Sequence, residues 1–553
     1  MATKPAAGMP LRDYRIHRYV NAFCPQCHEE KPDQPLSEVR RLSGWLADRG
    51  GTVWLERGCP EHGLISTMYD ENAEILRYLE QWTAPTKVHT PDTAGNFKPV
   101  PQAYEDGLPE MQTQHTCILL EDITDHCNLK CPTCFAESSP ALAAVAPLAE
   151  VLASVDAKLA RENNRIDVLM LSGGEPTLYP WLEQLIEHLA TRPIVRILLN
   201  SNGLRIANDD DFVAFLATHR ERVEIYLQYD GEEAQSVAFH RGADIRRFKE
   251  RALERLSDAG IFTTLTMTAT LGVNDHEIGN VIQRAKATPY VGGVTIQPVF
   301  GSGRSSGIDP SSRLTHTGVL ARLGPQTDGE ITWRDLTALP CSHPHCCSVG
   351  YFLKDDSGDW KSLVALIGHE RLKEFLDLNP DLIANRIADS NVNKAIRDVV
   401  KSSLLDLLSE QSSLSHPSMA DIWRDICVNC DLGVGTLATL AASKLPGQHK
   451  RMRAMLADRV LRITVKPFMD INTMIEERLT QCCVHVATVN EKTSAHQCAP
   501  FCALQAWAPL SRTRISTATG QPASTTGPVR STRPAASTGA DAEGRAQLPV
   551  VGR

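Results

Sequence analysis

The chain has no stretch approaching the ~18 uncharged apolar residues of a membrane-spanning helix. Its most apolar helical run, "ALAAVAPLAEVLASVDAKLA", is broken by Glu150, Asp156 and Lys158. No signal-peptide core follows Met1, because "MATKPAAGMPLRDYRIHRYV" is interrupted by Arg, Lys, Asp and Pro. A basic surplus is also missing. With a formal net charge of −9 and a pI near 6.1, the chain lacks the footprint of a general nucleic-acid binder. It has no internal repeat. From Ser511 onward it has no aromatic residue either. The Ser/Thr/Ala/Pro/Gly-rich composition there, with six arginines against Asp541 and Glu543, predicts a disordered tail over 511–553 that can touch an anionic membrane peripherally. These absences point to a cytoplasmic protein that binds no nucleic acid. Its length gives room for about three or four domains.

What the chain has is cysteine, 16 in all. In a reducing compartment such thiols are metal ligands rather than disulfides. They come in clusters: Cys24 and Cys27 in "CPQC", with Cys59 and His62 in "CPEHG"; Cys127, Cys131 and Cys134 in "DHCNLKCPTCF"; Cys341, Cys346 and Cys347 in "CSHPHCC"; Cys427 and Cys430 in "CVNC"; Cys482 and Cys483 in "CCVH"; Cys498 and Cys502 in "CAPFC". Cys117 alone stands apart, in the β-like run "TCILLEDIT", and reads as a buried strand thiol.

Between the three-cysteine cluster and residue 300, apolar strands alternate with amphipathic helices. The strands are "TCILLEDI", "IDVLMLSGG", "VRILLNSNG", "VEIYLQYDG", "FTTLTMTATLG" and "VGGVTIQPVF". Six strands with helical crossovers predict an α/β fold, a partial (βα)6 TIM-like barrel over residues 111–310. A small metal-ribbon module precedes it over 1–110, and a mostly helical, cysteine-rich domain follows over 311–510. Ligands of such barrels gather beyond the C-terminal strand ends. There fall the three-cysteine loop, "SGGEP", "NSNG", "QYDG" and "IQP".

Three thiols in C-x3-C-x2-C are too many for one disulfide and one too few for a closed four-ligand site. Three thiolates on a 4Fe–4S cube leave one iron open to a ligand. The alternative is a zinc loop completed by His126 or a distant cysteine. Gly173, Gly174, Glu175 and Pro176 follow the second strand. Glycines let a backbone approach closely, and Glu175 can accept from an ammonium group. Asn202, Gln228 and Asp230 at the ends of strands three and four are candidate ribose and carboxylate contacts. Plain turn chemistry explains Asn202-Gly203 and Asp230-Gly231 equally well.

C-x3-C-x2-C followed by an aromatic residue, on the first loop of a (βα)6 pattern, resembles the radical S-adenosylmethionine (SAM) superfamily over residues 115 to about 305. The likeness implies that Cys127, Cys131 and Cys134 hold a 4Fe–4S cluster whose fourth iron binds SAM. It implies that Gly173 to Pro176 meet the methionine amino group and that Gln297 lies against the adenine. Reductive cleavage of SAM then gives a 5′-deoxyadenosyl radical that abstracts hydrogen from an unactivated carbon, with a low-potential ferredoxin or flavodoxin as electron donor. The order "CPQC", "VWLERGCPEHG", "CNLKCPTCF", "CSHPHC", "KPFMD" and "CCVH…PFCA" resembles one family within it, which includes archaeal tetraether lipid synthase and radical SAM dihydropterin methylases. That order implies carbon–carbon bond formation on a lipid chain first, and methylation of a pterin-like small molecule second.

Two metal readings stand beside the likeness. Cys24, Cys27, Cys59 and His62 have tetrahedral spacing for one mononuclear iron or zinc. In the C-terminal half Cys341, Cys346, Cys482, Cys483 and Cys502, with Cys427, Cys430 and Cys498, suffice for one or two auxiliary 4Fe–4S clusters. There His343, His345 and His485 are expected to be hydrogen-bonding partners rather than ligands. The rival classes are a multi-cluster electron-transfer protein, which leaves "SGGEP" unexplained, and a structural zinc protein, which explains the first four ligands only.

Overall fold

The structure, a computed structural model, describes residues 14–82, 116–162, 164–339, 342–378, 457–490 and 493–511. The expectations for Cys341, Cys427, Cys430 and the 512–553 tail lie outside the described residues.

The N-terminal module is an antiparallel meander of β1 (Tyr14–Ala22), β2 (Leu42–Arg49), β3 (Thr52–Cys59) and β4 (Gly63–Asp70). Gly50 and Gly51 join β2 to β3, both at positive φ (61° and 96°), as a tight hairpin turn requires. A helix, Ala73–Glu80, follows β4; the Asn72 side chain caps it by accepting from the amides of Glu74 and Ile75 at 2.9 and 3.0 Å. The ribbon is packed on the barrel. Asp70 accepts from the Thr317 amide at 2.9 Å, and the Phe23 and Trp507 rings meet edge-on at 5.2 Å.

The six predicted barrel strands are present: β5 (Ile118–Thr124), β6 (Ile166–Gly173), β7 (Ile194–Ser201), β8 (Val223–Gln228), β9 (Thr263–Ala269) and β10 (Val291–Pro298), parallel and in chain order. They are buried along nearly their whole length, because helices cover their outer face and side chains fill the interior.

The C-terminal region departs from expectation. Its described residues contain six strands: β11 (Thr337–Ala338), β12 (Ser348–Lys354), β13 (Trp360–Ser362), β14 (Val460–Val465), β15 (Val484–Val489) and β16 (His496–Pro500). β14 pairs in parallel with β10, from Gly293↔Arg462 to Ile296↔Val465, and β15 pairs in parallel with β5, from Val484↔Ile118 to Val486↔Leu120. The barrel sheet therefore has eight adjacent parallel strands, β15-β5-β6-β7-β8-β9-β10-β14, flanked by antiparallel β12 and β16. A six-stranded sheet would leave the polar backbone of β5 and β10 unpaired. Two six-residue strands from the C-terminal region satisfy both edges.

Just beyond β14, Asp470 accepts from the Gly301 amide at 2.8 Å and forms an ion pair with Arg313, both side chains being buried. Replacing Asp470 by Ala leaves Arg313 as an unpaired buried charge. The expected loss is about 3–5 kcal/mol, read as a lower midpoint in chemical denaturation.

Candidate active site and metal centres

The segment Thr124–Phe135 leaves the end of β5 and crosses the barrel mouth. It is pressed directly on the end of β6, where the Gly174 amide donates to Thr124 O at 2.6 Å and the Glu175 amide to His126 O at 2.8 Å. A Cβ at Gly173 would stand 2.2 Å from Thr124 O, and one at Gly174 2.1 Å from His126 O. Both positions require glycine, and Gly173 also has φ of +119°. Arg304 braces the loop from the other side, donating to Cys131 O at 2.5 Å and to Ser138 O at 2.8 Å. Cys127 and Cys131 are buried and Cys134 is half-buried.

All three thiols line one cavity, and no fourth cysteine is among its described lining residues. His126 is turned away, its ring hydrogen-bonded to Leu142 O at 2.7 Å, so it does not complete a zinc site. Burial pushes the Cys127 thiol up to about 12 and raises Cys134 as well. Burial thus disfavours the charged form of both, which a positively charged centre would reverse.

Gly173, Gly174, Glu175, Asn202, Gln228 and Gln297 line the same cavity, as the motifs suggested. Two of the expected roles change. Glu175 is buried, and its carboxylate already accepts from the Thr177 amide (3.1 Å), Thr177 hydroxyl (2.6 Å), Ser201 hydroxyl (2.9 Å) and Asn202 amide (2.8 Å). It ties β6 to β7 from the cavity wall. Asp230 is fully buried and takes both Nε and a terminal nitrogen of Arg241 at 2.6 Å. Burial opposes its ionisation, but Arg241 and Lys249 win and hold it well below the usual carboxylate range. Asp230 thus acts through Arg241, whose remaining nitrogen lies 4.0 Å from Cys131 Sγ. Asn202 caps the next turn through Leu204 N at 3.0 Å and donates to Asn128 of the cysteine loop at 2.7 Å. Gln228 bridges Arg241 at 2.8 Å and Asn200 at 2.7 Å.

A second cavity occupies the seam between the β14 and β15 flanks of the sheet. Cys346, Cys347, Cys482, Cys483 and Cys502 line it, together with Cys117. Cys117, expected as an isolated thiol, is buried beside Cys483. Arg478, also buried, donates to Cys346 Sγ at 3.3 Å and to Pro467 O at 2.7 Å. The three histidines of this region hydrogen-bond to other parts of the fold. His345 hydrogen-bonds Tyr69 (2.9 Å) and Glu80 (3.0 Å), His343 meets Arg18 at 3.2 Å, and His485 meets Thr116 at 2.7 Å. Cys498 departs from the ligand reading. It is a buried core thiol on β16 outside this cavity, and burial raises its pKa, with Lys158 and Glu121 as the charges that act on it. Phe135, Phe300, Phe468 and Phe501 form an aromatic wall by the first cavity, with ring centroids 4.4 to 6.3 Å apart.

In the ribbon, Cys24 and Cys27 follow β1, while Cys59 and His62 sit on the β3–β4 knuckle. His62 Nδ1 lies 3.5, 3.4 and 3.6 Å from the sulfurs of Cys24, Cys27 and Cys59, and Cys27 and Cys59 are 3.6 Å apart. A tetrahedral ion with metal–sulfur bonds of about 2.3 Å and metal–nitrogen bonds of about 2.05 Å has edges of about 3.6–3.8 Å, so the four groups fit one metal. His62 Nε2 meets Glu30 at 3.0 Å, which fixes the ring with Nδ1 toward the sulfurs. Burial opposes ionisation of Cys59, but the amides of Glu61 and His62 and the His62 ring bring it down to about 6. Arg57 is fully buried with no hydrogen-bond acceptor at its guanidinium, and burial lowers it to about 10 while Cys24 and Asp470 pull it up. It supplies positive charge against the thiolates.

Residues 122–285 match the radical SAM superfamily, and residues 16–71 match the HMPTM N-terminal zinc ribbon domain. The chain carries a radical SAM domain and is an enzyme. It is 25% identical over 512 residues to a 7,8-dihydro-6-hydroxymethylpterin dimethyltransferase of Methanocaldococcus jannaschii, covering 87% of this chain and 92% of that protein. It is 21% identical over 168 residues to the antilisterial bacteriocin subtilosin biosynthesis protein AlbA of Bacillus subtilis, covering 30% of this chain and 36% of that protein. A crystal structure of Streptococcus suis SuiB bound to S-adenosylmethionine shares 14% identity at a TM-score of 0.30, covering 34% of this chain and 41% of that one. These last two matches span well under two thirds of their proteins.

A radical SAM enzyme uses a 4Fe–4S cluster and SAM, and the ribbon adds a mononuclear metal site. The three-thiol cavity fits the first: three soft donors, no fourth cysteine and a cation beside Cys131. Arg241, Arg304, Arg478, Asn128, Asn200, Tyr226 and Lys466 were not singled out from the sequence. Asn128 lies in "CNLKCPTCF", Asn200 in "NSNG" and Lys466 in "KPFMD", so these three carried a usable signal; the arginines and Tyr226 sit in no motif.

Gly174→Ala should push the cysteine loop off β6. Iron and sulfide attributable to that loop should fall while the ribbon metal stays. Cys59→Ser should do the reverse, removing about one equivalent of metal because one ligand set holds one ion. Elemental analysis with acid-labile sulfide checks both.

Proposed function

We propose that the protein is a radical SAM methylase of a pterin-like small molecule, working in a reducing cytoplasm with a low-potential ferredoxin or flavodoxin as electron donor. The observation that carries this reading is the likeness to a dihydro-hydroxymethylpterin dimethyltransferase over 87% of the chain, together with the match of its ribbon, rather than a likeness of the barrel alone. The aromatic wall beside the thiol cavity supports it, since flat heterocycles stack on such rings. Carbon–carbon coupling on a lipid chain, the first expectation from motif order, gives way to the second.

In this reading Cys127, Cys131 and Cys134 hold the cluster. A 4Fe–4S cluster held there would supply the electron for reductive cleavage of SAM to methionine and a 5′-deoxyadenosyl radical. Gly173 and Gly174 leave bare backbone for the methionine end of SAM. Asn202 and Gln228 offer amides to its polar groups. Arg241, anchored on Asp230, offers its remaining nitrogen to an anion. The four phenylalanines exclude water, which protects a reactive species from quenching. Cys346, Cys482, Cys483 and Cys502 hold an auxiliary 4Fe–4S cluster, a second redox site whose charge Arg478 offsets.

Anaerobic reconstitution with SAM, a strong reductant and 7,8-dihydro-6-hydroxymethylpterin should give 5′-deoxyadenosine and a pterin that gains one or two methyl groups by mass spectrometry. The triple variant C127A/C131A/C134A should give neither. Turnover with the pterin left unmodified would overturn the substrate assignment.

Cys483→Ala should separate the two centres. It should keep slow SAM cleavage, which needs only the barrel cluster, and lose methylated product. Parental product formation in that variant would make the seam thiols bystanders.

A further inference from the structure

The two cavities meet. Ile118, Tyr226, Lys466, Phe468, Val484 and Phe501 line both, so the wall between the SAM-side cavity and the thiol-lined seam is one residue thick. Three polar groups converge there with hydrogen-bonding capacity unspent. Lys466 continues β14, its amide donating to Ile296 O at 2.9 Å, and its ammonium lies 5.9 Å from the Tyr226 ring centroid. Among the described residues no carboxylate or carbonyl pairs with that ammonium. The Tyr226 hydroxyl takes a hydrogen bond from Gln297 Nε2 at 3.2 Å, and no described donor reaches Gln297 Oε1. Phe468 and Phe501 stand against each other at 4.4 Å beside this group. A half-buried ammonium without a counter-ion, over an aromatic floor, is unfavourable unless an acceptor arrives to meet it.

We propose that this junction is the substrate pocket and that Lys466 sets its specificity, donating to the ring carbonyl of a flat lactam-bearing heterocycle stacked against Phe468 and Phe501. Gln297 Oε1 accepts from the ring N–H beside that carbonyl. The ring edge thus reads acceptor then donor, the pattern of a pterin lactam, and a saturated acyl chain would leave all three groups unpaired. The placement also puts the substrate between the two metal-binding cavities, within reach of both. The inference rests on the pterin-like reading above and names which groups would recognise that substrate.

Equilibrium binding of 7,8-dihydro-6-hydroxymethylpterin to the reconstituted enzyme, followed by pterin fluorescence, tests it. Lys466→Met should weaken binding about tenfold or more, as loss of a charge-assisted hydrogen bond does, and Lys466→Arg should restore most of it. An analogue with hydrogen in place of the ring carbonyl should bind the parent about tenfold more weakly, and Lys466→Met should weaken it no further. Iron and sulfide contents equal to the parent's show that the variants assemble. Unchanged pterin affinity in Lys466→Met, or equal losses on both ligands, would overturn the role of Lys466 and leave the pterin reading standing. A parent enzyme that cleaves SAM but binds no pterin would instead remove that reading and this one together.

Discussion

The close approach of two backbones at the barrel mouth is what the rest of the site depends on. Thr124–His126 and Gly173–Glu175 run so near each other that neither glycine has room for a Cβ, and two amide-to-carbonyl bonds lock them. This fixes where the cysteine loop begins, and Arg304 fixes where it ends. Glu175, buried and fed by four donors, then ties that anchor to β7. A loop with three thiols has little hydrophobic content of its own. Its geometry is imposed by main-chain contacts with elements that have deep cores, which is how a metal-binding loop keeps its shape before metal arrives.

The second constraint is the sheet's own need for partners. β5 and β10 end the six-stranded unit, and their exposed backbone groups recruit β15 and β14 from hundreds of residues away. The pairing delivers chemistry as well as hydrogen bonds. Lys466, Pro467 and Phe468 directly follow β14, and Cys482 and Cys483 directly precede β15. Joining the sheet places both groups on the walls of one seam cavity, next to the barrel cavity.

The barrel was legible because its strands are long apolar runs separated by amphipathic helices, and periodicity reports such elements directly. The ribbon ligands and the barrel thiols were legible because metal coordination imposes close sequence spacing. The seam was not. β14 and β15 are six residues each, their partners are remote in sequence, and nothing local marks them as parallel strands of a distant sheet. Two residues make contacts that their motifs do not announce. Glu175 and Asp230 have the right chemistry to meet a ligand, yet each is consumed by buried donors that only the folded chain brings near. Arg241, Arg304 and Arg478 perform the electrostatic work, and an arginine has no motif of its own. Cys498 follows the same rule, since its register on β16 turns it into the core while Cys502, four residues on, reaches the cavity.

The ribbon is bound into the chemistry rather than appended to it. His17 on β1 meets Glu80 at 2.9 Å, Glu80 meets His345 at 3.0 Å, His345 meets the Tyr69 hydroxyl at 2.9 Å, and Tyr69 lies 3.5 Å from Arg478, the arginine that reaches Cys346. Burial works against ionisation of Glu80, but His17 and His345 outweigh it and hold the carboxyl well below its usual range. Three links of this chain (His17, Tyr69 and Glu80) belong to the ribbon or its helix, and two (His345 and Cys346) to the loop that lines the seam. A buried network of this kind is favourable only when every member is in place, because each unpaired polar group left behind is penalised more than one bond is worth. The ribbon's fold therefore helps to hold Arg478 and the Cys346 loop in position.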